Sequence, residues 1–259
     1  MGIKNTVNKQ LVAQRFKAAR PTYDAEAKVQ FHIAERLSRE LDLFYPGKHF
    51  ESVLEVGCGT GVLTARLDST LDIEKWTFND LDESLPLSSN ICLRNPHRIC
   101  YISGDAEQID LGRGYDMIVS ASTMQWFTQP KLFLQSLPGR LNKQGILLIS
   151  TFGKNNLHEV RTLTGHGLQY CGVEDLHKWL SMSFSRVKVL EEHVTFVFET
   201  GRQVLEHLKK TGVGAAPGPQ ERWTPGRMKR FCKDYAEIYG TDAGFLPLTY
   251  HPVYLLAQL

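Results

Sequence analysis

No stretch of the 259 residues approaches 18 consecutive apolar positions, so a membrane-crossing helix is not expected. The opening residues, Met1 to Gln10, are polar and lack the apolar core of a secretory leader, which points to a cytoplasmic protein with no membrane partner. Cysteine is sparse and unpatterned. Cys58, Cys92, Cys100, Cys171 and Cys232 are odd in number and contain no C-x-x-C pair, so neither a disulfide framework nor a metal site is expected. Charge of one sign is missing as well: 30 Lys and Arg face 28 Asp and Glu, a net charge of +2, too balanced for a surface that grips nucleic acid throughout. Any anionic partner must therefore meet a local patch. What is present, 42% hydrophobic and 22% charged residues, is the composition of a globular chain long enough for one domain with an elaborated cap.

Residues 8 to 40 carry apolar side chains at helical spacing (Leu11, Val12, Phe16, then Val29, Ile33, Ala34, Leu37), and predict two helices broken at Pro21. Glu51 to Gly61 then reads as strand and glycine turn, with a helix from Val62. The alternation repeats. Strands are predicted at 76–79, 99–103, 115–121 and 145–152, with a helix over 131–141. Strands separated by helices lie parallel in one sheet covered on both faces, so the fold class is α/β, Rossmann-like and doubly wound, with a mostly parallel seven-stranded sheet. Beyond residue 155 the pattern changes to helices (155–164, 174–182, 202–210, 225–239), a β-rich run from Val187 to Phe198 and a last strand from Leu248 to Leu256. Gly212 to Gly226 is punctuated by Gly and Pro and predicts a mobile loop. The expected organisation is one domain over 1–259: lid helices in 1–45, a ligand-binding core in 50–152, a helical lid inserted over 153–240, and the final strand in 245–259.

The segment Glu55-Val56-Gly57-Cys58-Gly59-Thr60-Gly61 places three glycines where backbone must turn sharply and approach a ligand. It is not a P-loop, because Gly61 is followed by Val62-Leu63 rather than Lys-Ser/Thr, and it does not run G-x-G-x-x-G. An acid inside the loop favours an amine-bearing ligand over a pyrophosphate. Asp80 follows the second strand at the spacing of a ribose-binding carboxylate, and Asp105-Ala106 ends the third, where an acid can accept from an adenine amine while an apolar neighbour covers the ring.

This combination, E-x-G-x-G-x-G with a later acid and then G-D-A, resembles the class I S-adenosylmethionine-dependent methyltransferases, strongly over 50–152. The resemblance implies that Glu55, Gly57, Gly59 and Gly61 cradle the methionine part of the cofactor. Asp80 with Leu81 would hold the ribose, Asp105 with Ala106 would flank adenine, and Ser120 would lie beneath the methyl donor. The product would be S-adenosylhomocysteine, and no metal is implied. Further segments, Arg15-Phe16, Tyr23-Asp24-x-x-Ala27-x-x-Gln30, Gln125-Trp126, Thr151-Phe152-Gly153 and Leu248-Thr249-Tyr250-His251-Pro252, are similar to the malonyl-acyl-carrier-protein O-methyltransferase family of biotin synthesis. Lys154 departs from that pattern, where proline is expected.

A carboxylate acceptor is already an anionic nucleophile near neutral pH and needs no general base. What it needs is a dry, fixed approach under a lid. Tyr23, Gln125 and Trp126 are the candidate walls of that site, and Arg161 is the candidate cation for the acid substrate. Residues 201–235 carry eight Lys or Arg against three Asp or Glu, and Lys209, Lys210, Arg227, Lys229 and Arg230 are the candidate docking face for an acidic acyl carrier protein bearing malonyl, or for malonyl-CoA. Nucleic acid is ranked below this: amino-methyltransferases of bases carry Asn/Asp-Pro-Pro-aromatic after the fourth strand, and here stands Ser120-Ala121-Ser122-Thr123. Two other readings stay open: methylation of another small acid or quinone precursor, and a non-catalytic cofactor-binding partner protein.

Overall fold

The computed structural model describes residues 7–84, 92–213 and 223–259. Its spine is a seven-stranded sheet built from β2 (Val53–Val56), β4 (Trp76–Asp80), β5 (Ile99–Ser103), β6 (Tyr115–Ser120), β7 (Leu141–Phe152), β8 (Arg186–Glu191) and β11 (Pro252–Gln258), in the order β5-β4-β2-β6-β7-β11-β8. The first five in that order are mutually parallel, whereas β11 runs antiparallel to both β7 and β8. Two short parallel strands, β1 (His49–Phe50) and β3 (Asp72–Ile73), pair at one side.

The sheet is buried on both faces because its central strands are apolar at nearly every position. Val53 in β2 belongs to one core with Leu37 and Leu41 of α2 (Lys28–Phe44) and Leu63 and Leu67 of α3 (Val62–Thr70). Leu54 and Val56 face the other, with Phe133 and Leu134 of α4 (Pro130–Ser136) and Leu176 and Leu180 of α6 (Val173–Ser181). Strand alternation thus sends successive residues into opposite cores, as expected for a doubly covered sheet.

Pro21 does not break the first helix. α1 (Lys9–Glu26) continues through it, and the junction with α2 falls at Ala27, fully buried, whose N–H still reaches Tyr23 O at 2.7 Å. Only Val12 and Ala19 of α1 are buried, because this helix lies across a cleft rather than on the core. The predicted helix over 131–141 is shorter than expected: Pro138 and Gly139 close α4 into a 3-10 turn, and Leu141 already begins β7.

The cap holds α5 (His158–Thr164), α7 (Gly201–Lys210) and α8 (Pro225–Tyr239). The run from Val187 to Phe198 is two strands, not one: β8 joins the main sheet, while β9 (Val194–Phe198) pairs antiparallel with β10 (Leu246–Tyr250) in a separate sheet. The final strand divides likewise at His251 into β10 and β11. Most of the Gly/Pro-rich segment, 214–222, lies outside the described residues, but Pro225 and Gly226 open α8, with the Thr224 hydroxyl accepting from Arg227 N–H as cap.

Candidate active site

The chain runs outward from β2 through β4 to β5 and then crosses back to β6 on the other side of β2, so that a crevice opens at the carboxyl ends of β2, β4 and β6, the usual ligand site of such sheets. Gly57, Gly59 and Gly61 fill the turn after β2 with φ of +68°, +52° and +86°. A Cβ on Gly57 would stand 2.3 Å from Thr123 Oγ1, so no other residue fits there. At Gly59 a Cβ would meet nothing within 4 Å on the protein, which leaves the loop open to the cleft. The Gly59 N–H donates to Asp80 Oδ2 at 2.9 Å and the Asp82 N–H to Asp80 Oδ1 at 2.9 Å, fixing this carboxylate at the rim. Burial raises the pKa of Asp80, partly offset by those N–H donors.

Glu55 is 1% exposed and accepts from Thr64 Oγ1 at 2.5 Å. Burial pushes its carboxyl up to about 8, against the lowering effect of Thr64, so at pH 7 it is largely protonated. A cationic ligand alongside would bring it back toward the carboxylate. Asp105 Oδ1 accepts from Lys9 Nζ at 2.5 Å and from the Glu107 N–H at 3.0 Å, and Ala106 is buried beside it. Leu81 lines the same cleft, which encloses about 1200 Å³ of non-atom space including its mouth, ample for a nucleoside ligand.

α1 forms the roof and is tied to the rim at three points. Lys9 pairs with Asp105 and Glu107, Arg20 with Asp82, and the Thr60 hydroxyl donates to Asp24 at 2.7 Å. Sequence reasoning missed Lys9 and Arg20, since a lysine or arginine on a helix carries no signal until its partner is placed.

A second, smaller chamber of about 350 Å³ of non-atom space adjoins the cleft. Phe16, Tyr23, Gln30, Ser122 and Trp126 line both, and form the wall between them. Phe16 meets Trp126 edge-on at 5.7 Å and Tyr23 at 6.1 Å. The Tyr23 phenol is raised above its usual range by burial and by Asp24 and Asp80, so it stays a neutral donor. Gln125 lines the second chamber only, and its Nε2 donates to Ser122 O at 2.6 Å.

Two expectations fail geometrically. Ser120 does not line the cleft: its hydroxyl donates to Val56 O at 2.7 Å inside the sheet, and the residues exposed to the cleft come just after the strand, at Ala121, Ser122 and Thr123. Arg161 lines neither chamber. Its guanidinium donates to Lys154 O at 2.6 Å and lies over the Tyr170 ring at 5.3 Å, one layer behind the chamber wall. Of the basic residues on the cap, Lys209 at the end of α7 and Lys229 and Arg230 on α8 are exposed, Arg227 lies over Trp223 at 5.1 Å, and Lys210 is spent on Glu26 of α1 at 2.7 Å. Among the described residues no group of three or more His, Cys, Asp or Glu is placed to hold a metal, and no helix is long and apolar enough to cross a membrane.

A family model of the methyltransferase domain matches residues 53–145, which contain the glycine turn and all three acids. Solved structures share the fold over nearly the whole chain: the plantazolicin methyltransferase BpumL in complex with SAH (TM-score 0.53, 14% identity, 96% of this chain and 95% of that one) and the [4+2]-cyclase SpnF (TM-score 0.59, 16% identity, 99% and 98%). Fold and site together define a class I S-adenosylmethionine-dependent methyltransferase. SpnF shows that this fold alone does not choose a reaction. Full-length similarity narrows the class. The chain is 42% identical to a malonyl-[acyl-carrier protein] O-methyltransferase of Porphyromonas gingivalis over 97% of its own length and 96% of that protein's, and 34% identical to one of Haemophilus influenzae over 100% and 97%. It belongs to the malonyl-[acyl-carrier protein] O-methyltransferase family.

Proposed function

We propose that this protein methylates the free carboxylate of a malonyl group carried by acyl carrier protein, the masking step that lets a dicarboxylic chain be elongated toward biotin. One observation carries the reading beyond family membership: a chamber on whose wall none of the described residues is charged adjoins the cofactor cleft across the aromatic partition of Phe16, Tyr23 and Trp126. When bound, S-adenosylmethionine supplies an electrophilic methyl group on a sulfonium.

Gly57 and Gly59, in the turn that Gly61 closes, would leave room for the methionine part, and Glu55 would meet its amine. Asp80 with Leu81 would hold the ribose hydroxyls, and Asp105 with Ala106 would border the adenine. With that group bound, a carboxylate oxygen of the acceptor would form the new O–CH3 bond as the S–CH3 bond broke, its electron pair passing to sulfur. No proton moves, which agrees with the absence of histidine from both chamber walls among the described residues. The lid's part is to exclude water and hold the two reactants in line.

The acidic carrier docks on the exposed cations of the cap, Lys209, Lys229 and Arg230, with Arg227 beside them. Lys210 contributes chiefly by tying α7 to the roof helix. The direct test is incubation with labelled methyl donor and malonyl- or acetyl-carrier: labelling is expected on malonyl alone, and equal labelling of both overturns the reading. Reversal of Lys209, Lys229 and Arg230 to Glu is expected to raise KM for malonyl-carrier about tenfold and for malonyl-CoA less than twofold.

A further inference from the structure

Among the described residues five buried side-chain nitrogen or oxygen atoms have no hydrogen-bond partner, and four of them belong to residues that line the second chamber: Trp126 Nε1, Ser122 Oγ, Gln125 Oε1 and Gln30 Oε1. Unpartnered buried polar groups are rare because each forfeits its hydration, so four on one small wall call for a common cause. Trp126, Gln30 and Gln125 are only 6%, 8% and 8% exposed, so bulk water does not serve them. They differ in kind. Trp126 Nε1 can only donate, and a serine hydroxyl can donate. Gln125 is oriented by its bond to Ser122 O, whereas no bond fixes the Gln30 amide, which can turn its N–H2 to a ligand.

Ser122 adds an independent sign. Its φ of +52° places a non-glycine residue in the left-handed region, a strained conformation that persists only where the surroundings enforce it. The surroundings do: its N–H donates to Ser150 Oγ at 3.0 Å and Ser150 O at 3.2 Å, while Gln125 Nε2 holds its carbonyl. Three hydrogen bonds hold the backbone and none uses the hydroxyl. Strain maintained this way aims a side chain.

We propose that the indole N–H of Trp126 and the hydroxyl of Ser122, with the Gln30 amide, form an uncharged cradle for the acceptor's carboxylate, and that this cradle distinguishes a malonyl from an acetyl thioester. The proposal rests on the substrate reading above and names how that substrate is held. The chemistry favours neutral donors. A lysine or arginine on the carboxylate would draw charge from the attacking oxygen, and after methylation it would be left buried against a neutral ester, at a cost of several kcal/mol. An N–H and an O–H orient the anion and still suit the ester carbonyl when the charge is gone. An acetyl group offers these donors nothing, which is the kind of mismatch that discriminates strongly.

The test is calorimetric titration of malonyl-CoA and acetyl-CoA into the full chain saturated with S-adenosylhomocysteine, so that no turnover occurs. The wild type is expected to prefer malonyl-CoA. Trp126→Phe, which keeps the ring and removes the N–H, and Ser122→Ala are each expected to weaken malonyl-CoA about tenfold and acetyl-CoA less than twofold. Trp126→Phe decides the matter if Ser122→Ala disturbs the strained turn. Unchanged malonyl-CoA affinity in Trp126→Phe, or equal loss for both thioesters, overturns the cradle while the substrate reading stands. A wild type that does not prefer malonyl-CoA overturns both.

Discussion

The two chambers solve opposite problems with adjoining residues. In the cofactor cleft three carboxylates are already engaged: Asp80 by Gly59 and Asp82, Glu55 by Thr64, Asp105 by Lys9. In the acceptor chamber Asn156, Tyr170 and Tyr250 are engaged, but Trp126 Nε1, Ser122 Oγ, Gln125 Oε1 and Gln30 Oε1 are idle, and none of the described lining residues is charged. The first arrangement preorganises carboxylates for a large ligand carrying amines and hydroxyls, which can replace or join the existing partners. The second waits for an anion that must stay reactive, so it offers donors without counter-charge. The difference teaches that charge is placed where the ligand is only held and withheld where it must react.

The contrast can be broken most forcefully at the glycine turn. Gly57→Ala would drive a Cβ into Thr123 at a positive φ, and is expected to weaken S-adenosylhomocysteine binding at least about 100-fold by calorimetry, with far-UV circular dichroism retained. Binding within about threefold of wild type would show that the turn is not the cofactor's cradle.

Glu55→Gln sharpens the comparison through pH. Because burial raises the folded-state pKa to about 8, from an ordinary 4.5, the folded protein holds a proton that the unfolded chain has released across that interval. Stability therefore falls as pH rises from about 4.5 to 8. Removing this group should raise the melting temperature of the cofactor-free protein by about 3 °C near pH 8, more than near pH 5, while weakening cofactor binding about tenfold. A pH-independent gain would mean that Glu55 does not titrate in this window.

The smallest expected effect belongs to Arg161. Arg161→Gln removes a bond to the Lys154 carbonyl and the contact over Tyr170, so thermal stability should fall by about 1 kcal/mol and KM for malonyl-CoA should rise less than about threefold. A tenfold rise in KM would restore a cation to the acceptor site and dissolve the contrast.

Much of the cofactor side was legible in the chain because it is written locally. The glycines, Glu55, Asp80 and Asp105 lie at strand ends, and strand ends are fixed by hydrophobic runs. The acceptor side depends on pairs far apart in sequence. Gln30 comes from α2, Ser122 from the turn after β6 and Tyr250 from β10, and only the assembled cap brings them together. Ser120 falls one residue short of the cleft, because a strand's end does not say which side chain first turns toward ligand. Arg161 was misread because helical position reveals exposure but not the backbone carbonyls that occupy a guanidinium. The two breaks in the cap strands, at residues 192–193 and at His251, were invisible for a related reason. β-rich composition continues across them, and only sheet membership reveals the switch.

That switch at His251 bears on how the molecule is made. Residues 252–258 thread between β7 and β8 and pair with both, so neither edge they cover can close until this stretch has been synthesised. Seen from the ribosome, the Rossmann half emerges first with β7 unsheathed for more than a hundred residues, a ready target for chaperones. The chamber wall at Tyr250, one residue before the switch, consequently belongs to the last part of the chain to be made.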